Sequence, residues 1–410
     1  MKVVLAKHLI SCAEGAPALQ HDIGIVIQDG RITQMAPIDS LKELLAAPGT
    51  EVIDPGESYV MPGLIDAHLH LCFDSTDNPI TALDSESADV TLLRMAAAAQ
   101  TELRSGVTTV RDCGAKGNSI FHLRDQIRAG VLEGPDIIAC GAPITVTGGH
   151  CHFLGLEVDS LDEVEKAVRQ LCKDGADFIK VMVSGGNMTP GSNSLINQYS
   201  YEALSIITRE AHARGKQVAG HIHTTIGIQN AVRAGFDTIE HCSFKDSTGR
   251  QDVDFSMDLV KEIRDHGISV CPAFGKGYIL PPEEGAPLPD KVAMWAAFQN
   301  SRFFTTEQMF DAGINVAAGT DAGCKRTFFH EFPLTLEILH SKVHMPIYDV
   351  LLSATIRAAK ALDIETMTGS LEVGKNADLI FVSDDPTKDL QALRKLRGVI
   401  KGGNVVFLHA

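Results

Sequence analysis

Apolar positions follow two different patterns along this chain. At both ends they form short runs closed by turn residues: KVVLAKHLIS, then IGIVIQ and RITQMA parted by Asp29-Gly30, then TEVIDP. An Asp-Gly pair between two such runs signals a hairpin, because its tight turn needs positive φ at the central residues. The C-terminal stretch has the same texture, ADLIFVSDD followed by GVIKGGNVVFL, with Gly402-Gly403 as the turn. This predicts one small β-sandwich domain assembled from both termini, over 1–58 and 362–410.

From 59 to 361 the pattern changes to fully apolar strands alternating with segments of helical period. LDEVEKAVRQLCKDGA is a clear amphipathic helix with Asp159-Ser160 at its cap, and ADVTLLRMAAAAQTELRSG is a helix closed by Gly106. Between the helices lie the opening strand around VMPGLID, then VTTVRDCG, DIIACG, FIKVMVSGG, QVAGH, DTIEHC, ISVCPAF and INVAAGTDAG. Eight buried strands with helices between them predict an α/β fold, a (β/α)8 TIM barrel. There is no sequence repeat, and LPPEEGAPLPD, 280–290, is a loop expected to form part of a mobile lid.

Composition narrows the class. The 410 residues suit a barrel of roughly 250–300 residues plus a smaller domain. A net charge of −16 argues against nucleic acid or an anionic membrane as partner. The nine cysteines are scattered, odd in number and without a CxxC pair, which is no disulfide framework and fits a reducing compartment. The first residues lack a signal-peptide core, and no apolar run approaches the ~20 residues of a membrane span. A soluble cytoplasmic enzyme with a small-molecule substrate is expected.

In such a barrel the chemistry sits at the C-terminal ends of the strands. The stretch 60–74, VMPGLIDAHLHLCFD, ends strand one with His68 and His70, which alternation places on one face. Strand four carries Lys180, strand five ends in His221, strand six in His241, and strand eight in Asp321. Each alone has a bland reading: a structural histidine, a cap, a lysine reaching for a loop carboxylate. Together they place a polar group at the same end of five strands. Lys180 lies among Phe178, Ile179, Val181 and Met182. An unpaired buried ammonium is costly, whereas a neutral amine can take up carbon dioxide and become an anionic, bridging carbamate ligand.

With DAHLH, the lysine in FIKVM, GH, EH, GTDAG and the closing GSLEVGKNADLIF, the chain resembles the amidohydrolase superfamily along almost its whole length. The resemblance implies two divalent metal ions, with zinc the first choice and manganese or cobalt open. His68, His70 and Asp321 would hold one, His221 and His241 the other, with carbamylated Lys180 and a hydroxide bridging them. Asp321 would take the proton from that hydroxide and deliver it to the leaving nitrogen.

The TGGH at 147–150 resembles the branch of Xaa-Pro dipeptidases (prolidases), related carboxypeptidases and imidazolonepropionases, as do SGG after Lys180 and the later QYS. His150 would then donate to the substrate carbonyl or oxyanion. Two departures stand out. His223 replaces the tyrosine expected two residues after the strand-five histidine, and His152 is an extra histidine. His223, His150 and Arg326 (or its neighbour Lys325) are the candidate substrate contacts. Hydrolysis of a dipeptide or N-acyl amino acid is the expected activity, with a non-peptide amide, urea or carbamate as the alternative. Thr224 stands where a deaminase of this type would carry a glutamate, Lys180 argues against an imidazolonepropionase, and the full ligand set argues against a non-catalytic barrel. Assembly as a homo-oligomer is expected from the family.

Overall fold

The computed structural model describes residues 1–250, 252–275 and 290–409, with the side chains of 290–295 excepted. The 280–290 loop therefore falls almost wholly outside the described residues. The fold is mixed α/β. Its strands, in chain order, begin with β1 (Lys2–Leu9), β2 (Gln20–Gln28), β3 (Arg31–Pro37), β4 (Glu51–Ile53) and β5 (Tyr59–Pro62). Next come β6 (Leu64–Leu69), β7 (Val107–Asp112), β8 (Asp136–Ala139), β9 (Ile144–Thr145), β10 (Leu156–Glu157) and β11 (Ile179–Met182). The series ends with β12 (Val218–Thr224), β13 (Thr238–Lys245), β14 (Ser269–Cys271), β15 (Leu379–Val382), β16 (Leu396–Lys401) and β17 (Asn404–Leu408).

The two termini share one hydrogen-bonded sheet in the order β17-β16-β15-β5-β1-β2-β3, with β4 paired to β1. The Asp29-Gly30 hairpin forms as the sequence predicts, with Gln28 opposite Arg31 and both turn residues at positive φ. The C-terminal turn at Gly402-Gly403 joins β16 to β17.

The remaining strands are parallel, as crossover helices require. They fall into a three-stranded sheet, β6-β7-β8, and a six-stranded sheet, β10-β9-β11-β12-β13-β14. Helices precede their strands at the expected places: Ala88–Arg104 before β7, Leu161–Asp174 before β11, Tyr201–His212 before β12 and Thr225–Ala234 before β13. Ser160 caps its helix in a full capping box with Glu163, and Gly175 at φ +103 ends it. Among the described residues no helix is long and apolar enough to cross a membrane.

One expected strand differs. The segment 314–323 forms no ladder. It lies between β14 and β6, held by isolated parallel bridges Val270↔Val316 and Leu69↔Ala322 and by Ala67 N–H to the Ala318 carbonyl at 3.0 Å. Its own sequence explains the break. Asp321 takes φ +62, outside the strand region, and Gly319 packs where a Cβ would come within 2.5 Å of Cys271 Sγ and 2.9 Å of His68 Cβ.

Lys401 joins the terminal sheet to the parallel body. Its Nζ lies 2.7 Å from Asp136 Oδ2 at the start of β8 and 3.1 Å from Asp378 Oδ1. Burial disfavours the ammonium, but Asp378 and Asp136 outweigh it and raise its pKa. Removing one partner leaves two carboxylates clustered in a partly buried joint. Lys401→Met is therefore expected to cost about 3 kcal/mol, read as a lowered denaturation midpoint. A midpoint unchanged within error would show that this joint contributes nothing to stability.

Candidate metal centre

The six candidate ligands come together on one cavity of about 760 Å³. β6 delivers His68 and His70 from positions two apart, so both face inward. Their Nε2 atoms stand 3.5 and 3.6 Å from Asp321 Oδ1. Pairing of β11 with β12 sets Lys180 beside Ala219 and Met182 beside His221. The His221 and His241 rings lie 4.6 Å apart, and His241 lies 5.3 Å from His68. Ligand atoms of His68, His241 and Asp321 fall within 4.8 Å of one another, as do those of His221, His223 and His241.

Behind these side chains is a buried polar layer. His68 Nδ1 is 2.5 Å from Glu240 Oε2, and His70 Nδ1 is 3.1 Å from the Gly114 carbonyl oxygen. Arg111 donates through Nη2 to Glu240 Oε1 at 2.6 Å, through Nη1 to Thr238 Oγ1 and through Nε to the Ala67 carbonyl. Asp66 accepts from the His68 and Thr320 amides and from the Thr320 hydroxyl. A histidine whose second nitrogen is held this way presents a fixed ring and a fixed tautomer to a metal.

Burial sets the charge states. It lowers His68 to about 4, helped by Lys180, and lowers His150 to about 3. His221, His223 and His241 are pushed well below the ordinary value, chiefly by burial and then by one another and nearby cations. These imidazoles are neutral at pH 7 and keep a lone pair for coordination. Burial pushes Glu240 up, but Arg111, Lys180 and His68 outweigh it and hold its carboxylate well below the usual range. Asp321 is likewise held ionised by His68 and His70 against the effect of burial.

The residues fit a pair of divalent cations. Lys180 is 1% exposed, and its Nζ, like His221 Nε2 and His241 Nδ1, has no hydrogen-bond partner among the described residues. A buried amine left so is costly unless its chemistry changes. A carbamate on Lys180, ligating cations, would satisfy it.

The candidate substrate contacts are placed differently from one another. His150 is buried on the cavity wall, its ring 4.5 Å from His221 and its Nδ1 3.0 Å from Thr189 Oγ1. Gln198, from the QYS stretch, holds that loop by accepting from the His150 amide at 2.6 Å and donating to Thr145 and to the Met182 carbonyl. His223 lies on the wall too, with Nδ1 2.9 Å from Ser243 Oγ and its ring 5.0 Å from His241. Arg326 stands at the cavity's edge, half-exposed, and its guanidinium already grips Asp77 through Nε and Nη2. His152 is exposed, 3.4 Å from Glu157, and is not part of the wall.

Sequence reasoning did not single out Glu240 or Arg111. In a regular strand Glu240 and His241 would face opposite ways. His241 takes φ +65, which breaks the alternation and lets both reach the interior. Arg302 and Phe298 on the wall, with Lys245 beside Phe298, were also missed.

The chain has relatives among known proteins, both by sequence and by fold. The sequence profile of the amidohydrolase family matches residues 59–406. The chain is 27% identical over 379 residues to ochratoxinase of Aspergillus niger, covering 84% of this chain and 75% of that one. It superposes on a solved Xaa-Pro dipeptidase with bound methionine at a TM-score of 0.84, with 29% identity over 98% of this chain and 99% of the other. A solved phenylurea hydrolase B shares the fold at a TM-score of 0.80 and 20% identity, over 99% of this chain and 96% of that one.

If Glu240 fixes the His68 ring, Glu240→Gln should weaken binding of one divalent cation about 10- to 100-fold. Competition with a chromophoric chelator measures this directly. Equal affinity in variant and parent would mean the His68 ring needs no support from Glu240.

Proposed function

The chain belongs to the amidohydrolase family as a hydrolase acting on carbon–nitrogen bonds, and from that premise we propose that it cleaves the amide bond of an N-acyl amino acid or dipeptide with two divalent cations, zinc by donor chemistry. The single observation that carries the reading is the convergence of four histidines, Lys180 and Asp321 on one cavity. We further propose that 59–361 forms a (β/α)8 barrel and that 1–58 with 362–410 forms a β-sandwich domain. The parallel sheets and the bridges at Val316 and Ala322 support the first, and the shared terminal sheet supports the second.

His68, His70 and Asp321 would hold one cation, His221 and His241 the other, and carbamylated Lys180 both. When bound, the cations lower the pKa of water toward ~7 and polarise the scissile carbonyl. Asp321, ionised at neutral pH, accepts the proton of the attacking water and passes it to the departing nitrogen. His150 takes the developing oxyanion. The Cys151 amide donates to Thr189 Oγ1 at 2.8 Å, so the Thr189 hydroxyl is free to donate to His150 Nδ1 and leave Nε2–H as the donor.

A second reading, a non-peptide amide, urea or carbamate, is favoured by the cavity itself. Its volume of about 760 Å³ leaves room for a larger substrate, and apolar Pro79, Ile80, Met188 and Phe298 are part of its lining. Turnover of dipeptides, N-acyl amino acids, aryl ureas and carbamates by the zinc-loaded protein decides between the two.

Two variants test the machinery. Lys180→Ala should lose one equivalent of metal and nearly all turnover, with partial rescue by short carboxylic acids; unchanged metal content and rate would remove the carbamate. Asp321→Asn should keep the folded spectrum yet lose at least about 1,000-fold in kcat, the upper part of what positioned acid–base groups contribute. A comparable rate in that variant would assign proton transfer to another residue.

A further inference from the structure

One donor on the cavity wall takes no part in the chemistry above. Cys324 lies three residues after Asp321 and, with Cys151, is one of two cysteines that line the cavity. The chain folds it back onto the acid that precedes it. The Cys324 amide bonds to the Asp321 carbonyl at 3.2 Å and closes a turn in which Gly323 takes φ +91. A Cβ at Gly323 would come within 2.2 Å of the His70 carbonyl oxygen, so only glycine lets the turn pack this closely. The His70 amide bonds to the Ala322 carbonyl, and the Ser75 amide to the Gly323 carbonyl, both at 2.9 Å. The turn is thereby fixed against the strand end that carries His68 and His70.

The thiol reaches the oxygen of Asp321 that faces the histidines. Cys324 Sγ is 3.2 Å from Asp321 Oδ1. The same oxygen is 3.5 Å from His68 Nε2 and 3.6 Å from His70 Nε2. Donors that share one zinc at about 2.0–2.3 Å stand roughly 3.2–3.8 Å apart at the corners of a tetrahedron. All three spacings fall in that interval. Ligand atoms of His70, Asp321 and Cys324 also lie within 4.8 Å of one another, whereas Cys151 belongs to no such group among the described residues. The buried Lys180 amine on the same cavity, without a hydrogen-bond partner among the described residues, points independently to a bound group here.

We propose that Cys324 is a thiolate ligand of the cation held by His68, His70 and Asp321. As a neutral thiol it donates to Asp321 Oδ1. When a divalent cation binds, the S–H bond breaks, its proton passes to solvent, and the electron pair left on sulfur forms the sulfur–metal bond. Two imidazoles, a carboxylate and a thiolate make four protein donors without Lys180, the number that a closed tetrahedral zinc site uses. The thiolate also favours zinc over magnesium, calcium or manganese. The cation at His221 and His241 then keeps the open positions for substrate. This rests on the two-cation hydrolase reading and divides the labour between its sites.

Cobalt(II) substitution tests the ligand with a readout apart from turnover. The full chain loaded with cobalt should show an intense near-ultraviolet sulfur-to-cobalt band. Cys324→Ser, which keeps a hydroxyl to donate to Asp321, should lose that band. Lys180→Ala, expected to retain one cation, should retain it. Zinc binding should release one more proton from the parent than from Cys324→Ser. That variant should hold its tightest cation more than about 100-fold more weakly, beyond what partners outside the ligand shell contribute. If Cys324→Ser does not fold, the parent and Lys180→Ala spectra decide the matter. A parent that binds both cobalt ions without a sulfur band, or a band of equal strength in Cys324→Ser, would overturn the ligand and leave the hydrolase reading standing. A parent that binds no divalent cation would remove the hydrolase reading and the ligand with it.

Discussion

The interior of the parallel body depends on one buried ion pair. Arg111, on β7, reaches Glu240 on β13 at 2.6 Å and the Ala67 carbonyl of β6 at 2.7 Å. It thereby ties the three-stranded sheet to the six-stranded one through charge rather than through a ladder. Both partners are essentially inaccessible to water. Such a pair is seldom a net gain over apolar packing, but removal of one member leaves an uncompensated charge. Its effect here extends to chemistry. Glu240 spends its second oxygen on His68 Nδ1, so the contact that joins the sheets also sets the ring that faces Asp321.

The same region departs from regular strand geometry. His241, Cys242 and Phe244 all take positive φ within β13, and Asp321 does so in the segment beside β6. Non-glycine residues in that conformation cost of order 1 kcal/mol or more each and persist where surrounding structure over-determines them. The over-determination is visible. Asp321 N–H bonds to the His68 carbonyl at 2.8 Å, and its side chain accepts from Cys324 Sγ at 3.2 Å. Strand irregularity, buried charge and the candidate ligands coincide because each relies on the packing of the others.

This coincidence explains how much of the site was legible in the sequence. His68, His70, Lys180, His221, His241 and Asp321 sit at the ends of buried apolar runs, and period-two alternation with the (β/α) pattern was enough to bring them to one cavity. The Asp29-Gly30 hairpin and the Ser160 cap were legible because their chemistry is local. Glu240 was hidden by the alternation rule itself, which the positive φ of His241 suspends. The eighth strand was overdrawn for the same reason, since Gly319 and Asp321 permit single bridges but no ladder. The expected lid at 280–290 falls almost wholly outside the described residues.

Charge near the substrate shows the limit of proximity in sequence. Lys325 and Arg326 follow Asp321 directly and were the natural candidates for an anion contact. In three dimensions their partner is Asp77, from the loop after β6, and the bidentate geometry of Arg326 on that carboxylate leaves little of the guanidinium for a ligand. Arg302 and Lys245 gave no local signal, one on a helix and the other at a strand end among apolar neighbours. What sets them apart appears only after folding: two cations buried against one aromatic ring, beside neutral imidazoles.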